Sequence, residues 1–175
     1  MANGKSESAV FFGRLDEQTG IKTYNKAFVL LKKKYSKFRL LVVGDGRYKK
    51  HIDQKAKVVG FQKNPEKYFA TYRFAFVSRY LSILEAIAAK RLVFAVYDNP
   101  IKEDYLRMSP FAQFIILAKD HKDLSRKVSF FLSHPELEEK IVKKAYAWAK
   151  KQTWNEMTKN YVKLWRNNGS SKERF

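Results

Sequence analysis

The chain has 175 residues, of which 45% are apolar and 15% aromatic. This length lies within the range of one domain and allows a sizeable core, but it excludes a second full domain. The apolar content excludes a disordered chain, and the lack of cysteine excludes disulfides and thiolate zinc sites. His51, His121 and His134 form no ligand spacing, so we expect no metal and no other cofactor.

The formal net charge is +19, from 36 Lys and Arg against 17 Asp and Glu. Such an excess favours contact with phosphate-rich partners. Three interpretations stay open: lysine is the polar residue used on solvated helix faces, the chain docks on an anionic membrane, or it binds nucleic acid. The polar start MANGKSES lacks a signal-peptide core, and no apolar run is long enough to cross a bilayer. We therefore expect a cytoplasmic protein, with any membrane contact peripheral and at the inner face.

Short apolar runs alternate with helical patterns along the chain. Buried strands are predicted at residues 9–12, 38–43, 57–61, 74–77, 92–96 and 114–117. Helices are predicted from Lys22 onward, at 47–55, from Pro65, at 81–89, 101–108, 122–132, 135–151 and 153–165. Because parallel strands need crossover connections, this order predicts an α/β fold. We expect a doubly wound parallel sheet of about six strands, helices on both faces and a helical C-terminus.

Composition also divides the chain. We predict a polar tail at residues 1–8, one domain at 9–166, and a flexible tail at 167–175, where Gly, Ser and charged residues accumulate.

Several residues fall where an open α/β sheet binds ligands, beyond the carboxyl ends of its strands. Gly13, Gly44 and Gly46 end predicted strands and would let the backbone approach a phosphate or sugar. Arg14 follows Gly13 and can hold a phosphate bidentately. A surface ion pair with the nearby carboxylates is the alternative for this arginine.

Glu85 lies in an otherwise apolar predicted helix that follows the fourth strand. A carboxylate in such surroundings must be paired, or must accept hydrogen bonds from hydroxyls at the edge of a pocket. Glu85 is therefore the second candidate site residue.

Three stretches occur in an order typical of one family. They are FFGRLDEQTGIKTYNKAFVLLKKKYSKFRLLVVGDG, VGFQKNPEKYFATYRFAFVS and SILEAIAAKRLVFAVY. In this order they resemble the C-terminal, nucleotide-sugar-binding domain of the retaining GT-B glycosyltransferases, the glycosyl transferases group 1 family, over nearly the whole chain. The resemblance implies a Rossmann-like domain that binds a UDP-, GDP- or ADP-sugar. It further implies an enzyme that transfers a hexose to a glycan or to a lipid-linked acceptor.

The resemblance also assigns roles to residues. In that family an arginine of the first loop and a lysine shortly after it bind the donor diphosphate, and a carboxylate on the later helix binds the ribose hydroxyls. Arg14 and Glu85 match the first and the last of these. Thr19 stands at the lysine position, with Lys22 as the nearest candidate to replace it. The family's second glutamate, eight positions before the ribose carboxylate, falls on Val77.

Three further donor contacts follow from the same resemblance. The backbone N–H groups of Leu81 and Ser82 would bind phosphate at the helix start. Phe61 would lie against the base, with an ordinary core or loop aromatic as the alternative. Because Val77 stands where the family has its second glutamate, the resemblance also implies either an altered donor or lost turnover.

The family's acceptor and several catalytic contacts come from an N-terminal domain. We therefore expect weak donor binding and no turnover from this chain alone, and an acceptor domain supplied in cis or in trans. The C-terminal helices carry Tyr146, Trp148, Trp154, Tyr161 and Trp165. Three interpretations stay open for these aromatics: they pack on the domain's own sheet, they are covered by the other domain, or they contact membrane lipid.

The alternative function is a noncatalytic basic scaffold or a polyanion-binding domain for membrane or nucleic acid. Nucleic acid is the less favoured polyanion, because the predicted strands are apolar throughout and lack exposed aromatics interleaved with cations.

Overall fold

The computed structural model describes residues 6–64, 66–152 and 154–169. Within these residues one parallel sheet is formed by β1 (Ser8–Phe12), β2 (Arg39–Val43), β3 (Lys57–Val58), β4 (Phe74–Phe76), β5 (Leu92–Val96) and β6 (Ile115–Ala118). Their spatial order is β3-β2-β1-β4-β5-β6. Every neighbouring pair in this order is parallel. The predicted doubly wound sheet is therefore confirmed.

Helices cover both faces of the sheet. The described residues contain α1 (Ile21–Lys34), α2 (Glu66–Thr71), α3 (Tyr80–Ala88), α4 (Pro100–Met108), α5 (His121–Ser133), α6 (Pro135–Ala149) and α7 (Trp154–Gly169). Helices α1 and α5 pack on one face, and α2, α3, α4 and α6 pack on the other. This double cover explains why the strands are nearly continuous apolar runs. No helix within the described ranges is long and apolar enough to span a bilayer.

A row of aromatic side chains fixes α1 over the middle of the sheet. Phe76 of β4 pairs in register with Phe11 of β1 and with Phe94 of β5. The ring of Tyr24, on α1, stacks on Phe76 with the centroids 5.2 Å apart. All four side chains are fully buried. Aromatic pairs add about 0.5–1.5 kcal/mol beyond the area that they bury, so α1 is held firmly against three strands.

The helix predicted at residues 47–55 is wrong. The structure has only a single 3-10 turn, Lys49–His51, followed by extended backbone at Ile52. The side chain of Asn25 on α1 bonds the backbone just before and just after Ile52. Its Nδ2 donates to the His51 carbonyl, and its Oδ1 accepts from the Asp53 N–H. A side chain from another helix thus takes the backbone groups that a longer helix would use.

Other boundaries shift by small amounts. Ser8, assigned to the polar tail, is the first residue of β1 and is fully buried. Strand β3 ends at Val58, well short of the predicted Phe61. The last helix continues through Gly169, past the predicted start of the tail. Pro65 and the predicted tail residues 1–5 and 170–175 lie outside the described residues.

The C-terminal aromatics divide into two groups. Trp148 of α6 packs against the domain, with its ring 6.4 Å from that of Phe111 and 5.6 Å from that of Phe114. Tyr161 and Trp165 of α7 are 54% and 71% exposed. The side chain of Trp154 lies outside the described part of the chain. Packing on the domain's own sheet is therefore confirmed for Trp148 and does not hold for Tyr161 and Trp165.

A buried ion pair ties α6 to the start of β4. The Arg73 guanidinium donates from Nε and Nη2 to Oε2 of Glu138, at 2.8 Å and 2.7 Å. Nη2 also donates to the Phe131 carbonyl of α5. Both charged side chains are less than one-tenth exposed. The pair lies at the amino end of the strands, so it holds α5 and α6 in place without touching the opposite edge of the sheet.

Replacing Glu138 with Ala is expected to reduce the free energy of unfolding by about 3–5 kcal/mol, because the guanidinium of Arg73 stays buried without its carboxylate. Urea denaturation measures this change. Glu139→Ala is the matched control, since Glu139 is the exposed neighbour on the same helix, and it should stay within about 0.5 kcal/mol of wild type. Equal effects of the two variants would contradict the structural role given to the buried pair.

Candidate functional site

The strand order creates a crevice at the carboxyl edge of the sheet. Strands β1 and β4 are neighbours, yet α1 after β1 and α3 after β4 leave toward opposite faces. The loops that follow the two strands therefore diverge and leave open space between them. Open α/β sheets bind ligands at such a point, outside the carboxyl ends of the strands.

The loop after β1 is held from inside by Thr19. This residue is buried, and its hydroxyl lies 2.7 Å from the Arg14 carbonyl and 2.9 Å from the Asp16 carbonyl. Its backbone N–H donates to Oδ1 of Asp16, which caps the 3-10 turn Glu17–Thr19. Thr19 thus stabilises the loop and does not present its side chain to the crevice.

Arg14 projects from this loop into solvent. Its side chain is 72% exposed, and its Nε lies 3.5 Å from Oδ2 of Asp16. The surface pair that the sequence offered as an alternative is therefore formed. At this exposure the pair contributes little to stability, so the guanidinium can exchange Asp16 for a phosphate at small cost.

The loops after β1 and β2 pack backbone against backbone. Gly13 donates from its N–H to the Val43 carbonyl at 3.1 Å, and Leu15 donates to the Asp45 carbonyl at 2.9 Å. A Cβ added to Gly44 would overlap the Gly13 carbonyl oxygen, and one added to Gly46 would lie 2.7 Å from the Leu15 carbonyl oxygen. The missing side chains of Gly44 and Gly46 therefore make room for the neighbouring loop.

Two buried hydroxyls hold the edge together beneath the crevice. The Tyr24 hydroxyl donates to the Phe94 carbonyl at 2.9 Å and lies 2.6 Å from Oγ of Ser78. Because the single tyrosine proton goes to Phe94, Ser78 donates to Tyr24. Oγ of Ser78 in turn accepts from the Val96 N–H at 3.0 Å. Burial raises the pKa of Tyr24, so the hydroxyl stays protonated and in place.

Helix α3 starts at the rim of the crevice. Its N-cap is Arg79, and the described residues supply no side-chain cap there. The N–H groups of the first turn, which include those of Leu81 and Ser82, have no partners within the helix. Leu81 is 71% exposed and Glu85 is half-buried. Val77, at the end of β4, is fully buried in the core, so this position offers neither a carboxylate nor access.

Lys22 and Phe61 lie on the side of the crevice toward β2 and β3. Lys22 donates from Nζ to Oε1 of Glu17 at 2.9 Å, and its Nζ stands 4.5 Å above the ring of Tyr48. Hydrogen bonds from Tyr48 and Lys22 hold the pKa of Glu17 down at about 2. The charge of Lys22 is thus already compensated. Phe61 is 72% exposed, so it is not a core aromatic.

A cleft of about 510 Å³ opens on the other side, between the loop after β1 and the start of α4. Its lining includes Gln18, Ser78, Arg79, Asn99, Lys102 and Tyr105. None of the residues predicted for the site line this cleft. Sequence reasoning missed it because the search for site residues stopped at α3. The turn at Asp98, Asn99 and Pro100 marks the carboxyl end of β5 and was the available signal.

A family model described as Glycosyl transferases group 1 matches residues 2–148. No curated protein matches the chain. Several solved structures share its fold. A mutant of TarM from S. aureus, in complex with Fondaparinux, alpha-GlcNAc-glycerol and UDP, superposes with a TM-score of 0.75 at 16% identity, over 94% of this chain and 36% of that chain.

Two further structures are similar. The C-terminal domain of the group 1 family protein LpcC from Francisella tularensis has a TM-score of 0.67 at 18% identity, over 83% of this chain and 85% of that one. Anabaena Alr3699/HepE in complex with UDP-glucose has a TM-score of 0.66 at 14% identity, over 84% of this chain and 44% of that one. This chain thus spans about a third of TarM and under half of HepE.

Removing the buried hydroxyl in Tyr24→Phe is expected to cost about 1–3 kcal/mol of unfolding free energy, because the Phe94 carbonyl and the Ser78 hydroxyl lose a partner away from water. Thermal or urea unfolding measures the loss. Tyr35→Phe, on the half-buried tyrosine at the end of the same helix, should change stability by less than about 0.5 kcal/mol. A loss no larger for Tyr24→Phe than for this control would show that the hydroxyl pair does not stabilise the edge.

Proposed function

Because this chain belongs to the glycosyl transferases group 1 family, we propose that it is a donor-binding domain that holds a nucleoside-diphosphate sugar. The observation that carries the proposal is the crevice between β1 and β4, where α1 and α3 leave toward opposite faces of the sheet. Backbone N–H groups, an arginine and a half-buried glutamate are available around this one edge.

The diphosphate would bind between the loop after β1 and the start of α3. Arg14 has the exposure and the planar guanidinium needed for two parallel hydrogen bonds to phosphate. The N–H groups of Leu81 and Ser82 supply donors at the positive end of the helix dipole. Gly13 allows a phosphate to approach the loop without a side chain in the way.

The nucleoside would extend away from the diphosphate. We assign the ribose hydroxyls to the carboxylate of Glu85, which can accept hydrogen bonds from both. Phe61 is exposed beyond the end of β3 and offers an aromatic face to the base. Gly44 and Lys22 take part indirectly, since Gly44 brings two loops together and Lys22 neutralises Glu17 beside the phosphate loop.

The ligands of two similar structures support a uridine nucleotide as the first donor to test. TarM is described with UDP and HepE with UDP-glucose. A GDP- or ADP-sugar is the other candidate. Transfer of the sugar requires stabilisation of the charge that develops on the leaving diphosphate, and Arg14 with the N–H groups of α3 can provide it. We further propose that a hexose is transferred with retention to a glycan or to a lipid-linked acceptor.

We infer that transfer needs an acceptor-binding domain besides these 175 residues, in cis or in trans. The small share of TarM and HepE that the chain covers supports this inference. The buried Val77 also leaves the sugar without a carboxylate from the end of β4. A noncatalytic basic scaffold is the less favoured function, because family membership and the apolar, covered sheet both point to a donor domain.

Cytoplasmic location, with peripheral docking at the inner face of the membrane, remains the second part of the proposal. The net charge of +19 and the exposed Tyr161 and Trp165 of α7 would favour an anionic bilayer surface.

Calorimetric titration of UDP, GDP and ADP tests donor binding. We expect one of the three to be preferred, and we expect Arg14→Ala to weaken it about 10- to 100-fold through loss of charge-assisted hydrogen bonds. Glu85→Ala should weaken the nucleoside and the nucleoside diphosphate alike, by about tenfold, since the ribose is common to both.

Arg39→Ala and Glu139→Ala are the matched controls. Arg39 is an exposed arginine at the amino end of β2, and Glu139 is an exposed glutamate on α6. Neither should change nucleotide affinity. Salt-sensitive binding of any polyanion without a preference for a nucleotide would instead support the polyanion-binding alternative and refute the donor proposal.

A further inference from the structure

Lys102 reaches the carboxyl edge of the sheet from α4. The Oδ1 of Asn99 caps this helix by accepting a hydrogen bond from the backbone N–H of Lys102 at 2.9 Å. The side chain then extends across the cleft to the 3-10 turn Glu17–Thr19, where Nζ donates to the Gln18 carbonyl at 3.0 Å. A lysine from α4 therefore links two walls of the 510 Å³ cleft.

The charge of Lys102 is buried but incompletely compensated. Its side chain is 13% exposed, and the carboxylate of its partner Asp98 stands 3.9 Å away. Burial lowers the pKa of Lys102, and the guanidinium of Arg79 acts in the same direction, while Asp98 and Asp16 oppose them. A cation in this position gains from an anion that enters the cleft.

The carboxylates around the cleft are already engaged. Glu17 is bonded to Lys22 and Tyr48. Asp98 accepts a hydrogen bond from the Asn99 side chain at 3.0 Å. Because these carboxylates already have hydrogen-bond partners, the cations that line the cleft, Lys102 and Arg79, are the charged groups that can recognise an incoming anion.

Gly20 brings the loop after β1 against Val96 of β5, close to the lysine of α4. Gly20 has a φ of +77°, and a Cβ added there would overlap the side chain of Val96 and lie 3.8 Å from Nζ of Lys102. Thr19, directly before it, turns its hydroxyl into the loop. The ammonium group of Lys102 thus occupies the space next to Thr19 and Gly20.

We propose that Lys102, together with Arg79 at the start of α3, binds the diphosphate of the donor and supplies the ammonium that the loop lacks at Thr19. This inference rests on the donor-binding function proposed above. An ammonium carries three donor hydrogens, of which the Gln18 carbonyl accepts one. The other two are available to phosphate oxygens that enter between the loop after β1 and the first turn of α3.

The test compares a nucleoside diphosphate with its nucleoside, for whichever of UDP, GDP and ADP the wild-type chain binds best. The ratio used is the dissociation constant of the nucleoside divided by that of the nucleoside diphosphate. It isolates the contribution of the diphosphate to binding, and general damage to the fold cancels. We expect Lys102→Met to reduce this ratio by about tenfold or more and to leave nucleoside affinity within about twofold. Lys102→Arg should keep most of the ratio because the charge remains.

Lys127→Met is the matched control. Lys127 also lies on a helix after a strand, and its Nζ donates to a strand carbonyl, that of Leu117, and pairs with Asp123. The variant changes net charge by the same amount and removes the same kind of bond, outside the cleft. Its ratio should equal that of wild type.

Each other outcome overturns the inference in a different way. An unchanged ratio in Lys102→Met removes Lys102 from the diphosphate site while donor binding itself stands. Equal weakening of nucleoside and nucleoside diphosphate gives Lys102 a structural role only. A wild-type chain that binds none of the three nucleotides refutes both the inference and the donor proposal.

A measurement on the wild-type chain avoids dependence on any variant's folding. The pKa of Lys102, followed by NMR at its side-chain carbon, should rise when the nucleoside diphosphate is added and should not move with the nucleoside. A pKa that stays constant at saturating nucleoside diphosphate would show that no phosphate lies beside this ammonium.

Discussion

The buried pair of hydroxyls from Tyr24 and Ser78 is the interaction on which the carboxyl edge of the sheet depends. Backbone pairing between β4 and β5 ends just beyond the bond from the Val77 N–H to the Phe94 carbonyl, and the next donor on that side of β5, the Val96 N–H, would face an apolar interior without the two hydroxyls. Unpaired polar groups in such surroundings cost several kcal/mol. The hydroxyl pair satisfies this N–H group and joins α1 and β5 to the segment after β4 at one point. The loop after β1 and the starts of α3 and α4 all diverge from this point.

Close packing of backbone against backbone makes the same edge rigid. The loops after β1 and β2 touch where Gly44 and Gly46 leave no side chain between them, and Thr19 braces the first loop from within. A rigid loop keeps its N–H groups and the backbone of Arg14 in fixed positions. Preorganised donors of this kind bind an anion without a further loss of backbone entropy.

The large positive charge of the chain does not by itself create the site. Some lysines are neutralised locally, as Lys22 is by Glu17, Lys49 by Asp45 and Lys127 by Asp123. Lys102 differs because it is buried and its carboxylate partner stands beyond hydrogen-bond distance. Selectivity for a diphosphate over other anions would therefore come from where two or three cations are placed, and net charge would mainly accelerate encounter.

The amino-acid sequence by itself determined the fold class, the order of the elements and the positions of nearly all strands and helices. A continuous apolar run such as that of β5 indicates a strand buried on both faces, and the 3.6-residue period of α1 indicates a helix buried on one face. Both patterns can be read from neighbouring residues alone. It also predicted a ligand site at the carboxyl edge of the sheet, through Gly13, Arg14 and Glu85, and that site stays a prediction. Which lysine faces the cleft could not be read in this way. Lys102 and Gln18 are 84 residues apart in sequence and meet only because β1, β4 and β5 are neighbours in the sheet. The failed helix at 47–55 has the same cause, since Asn25 of α1 takes its backbone partners. Contacts between distant segments depend on the topology of the sheet, and no local pattern encodes them.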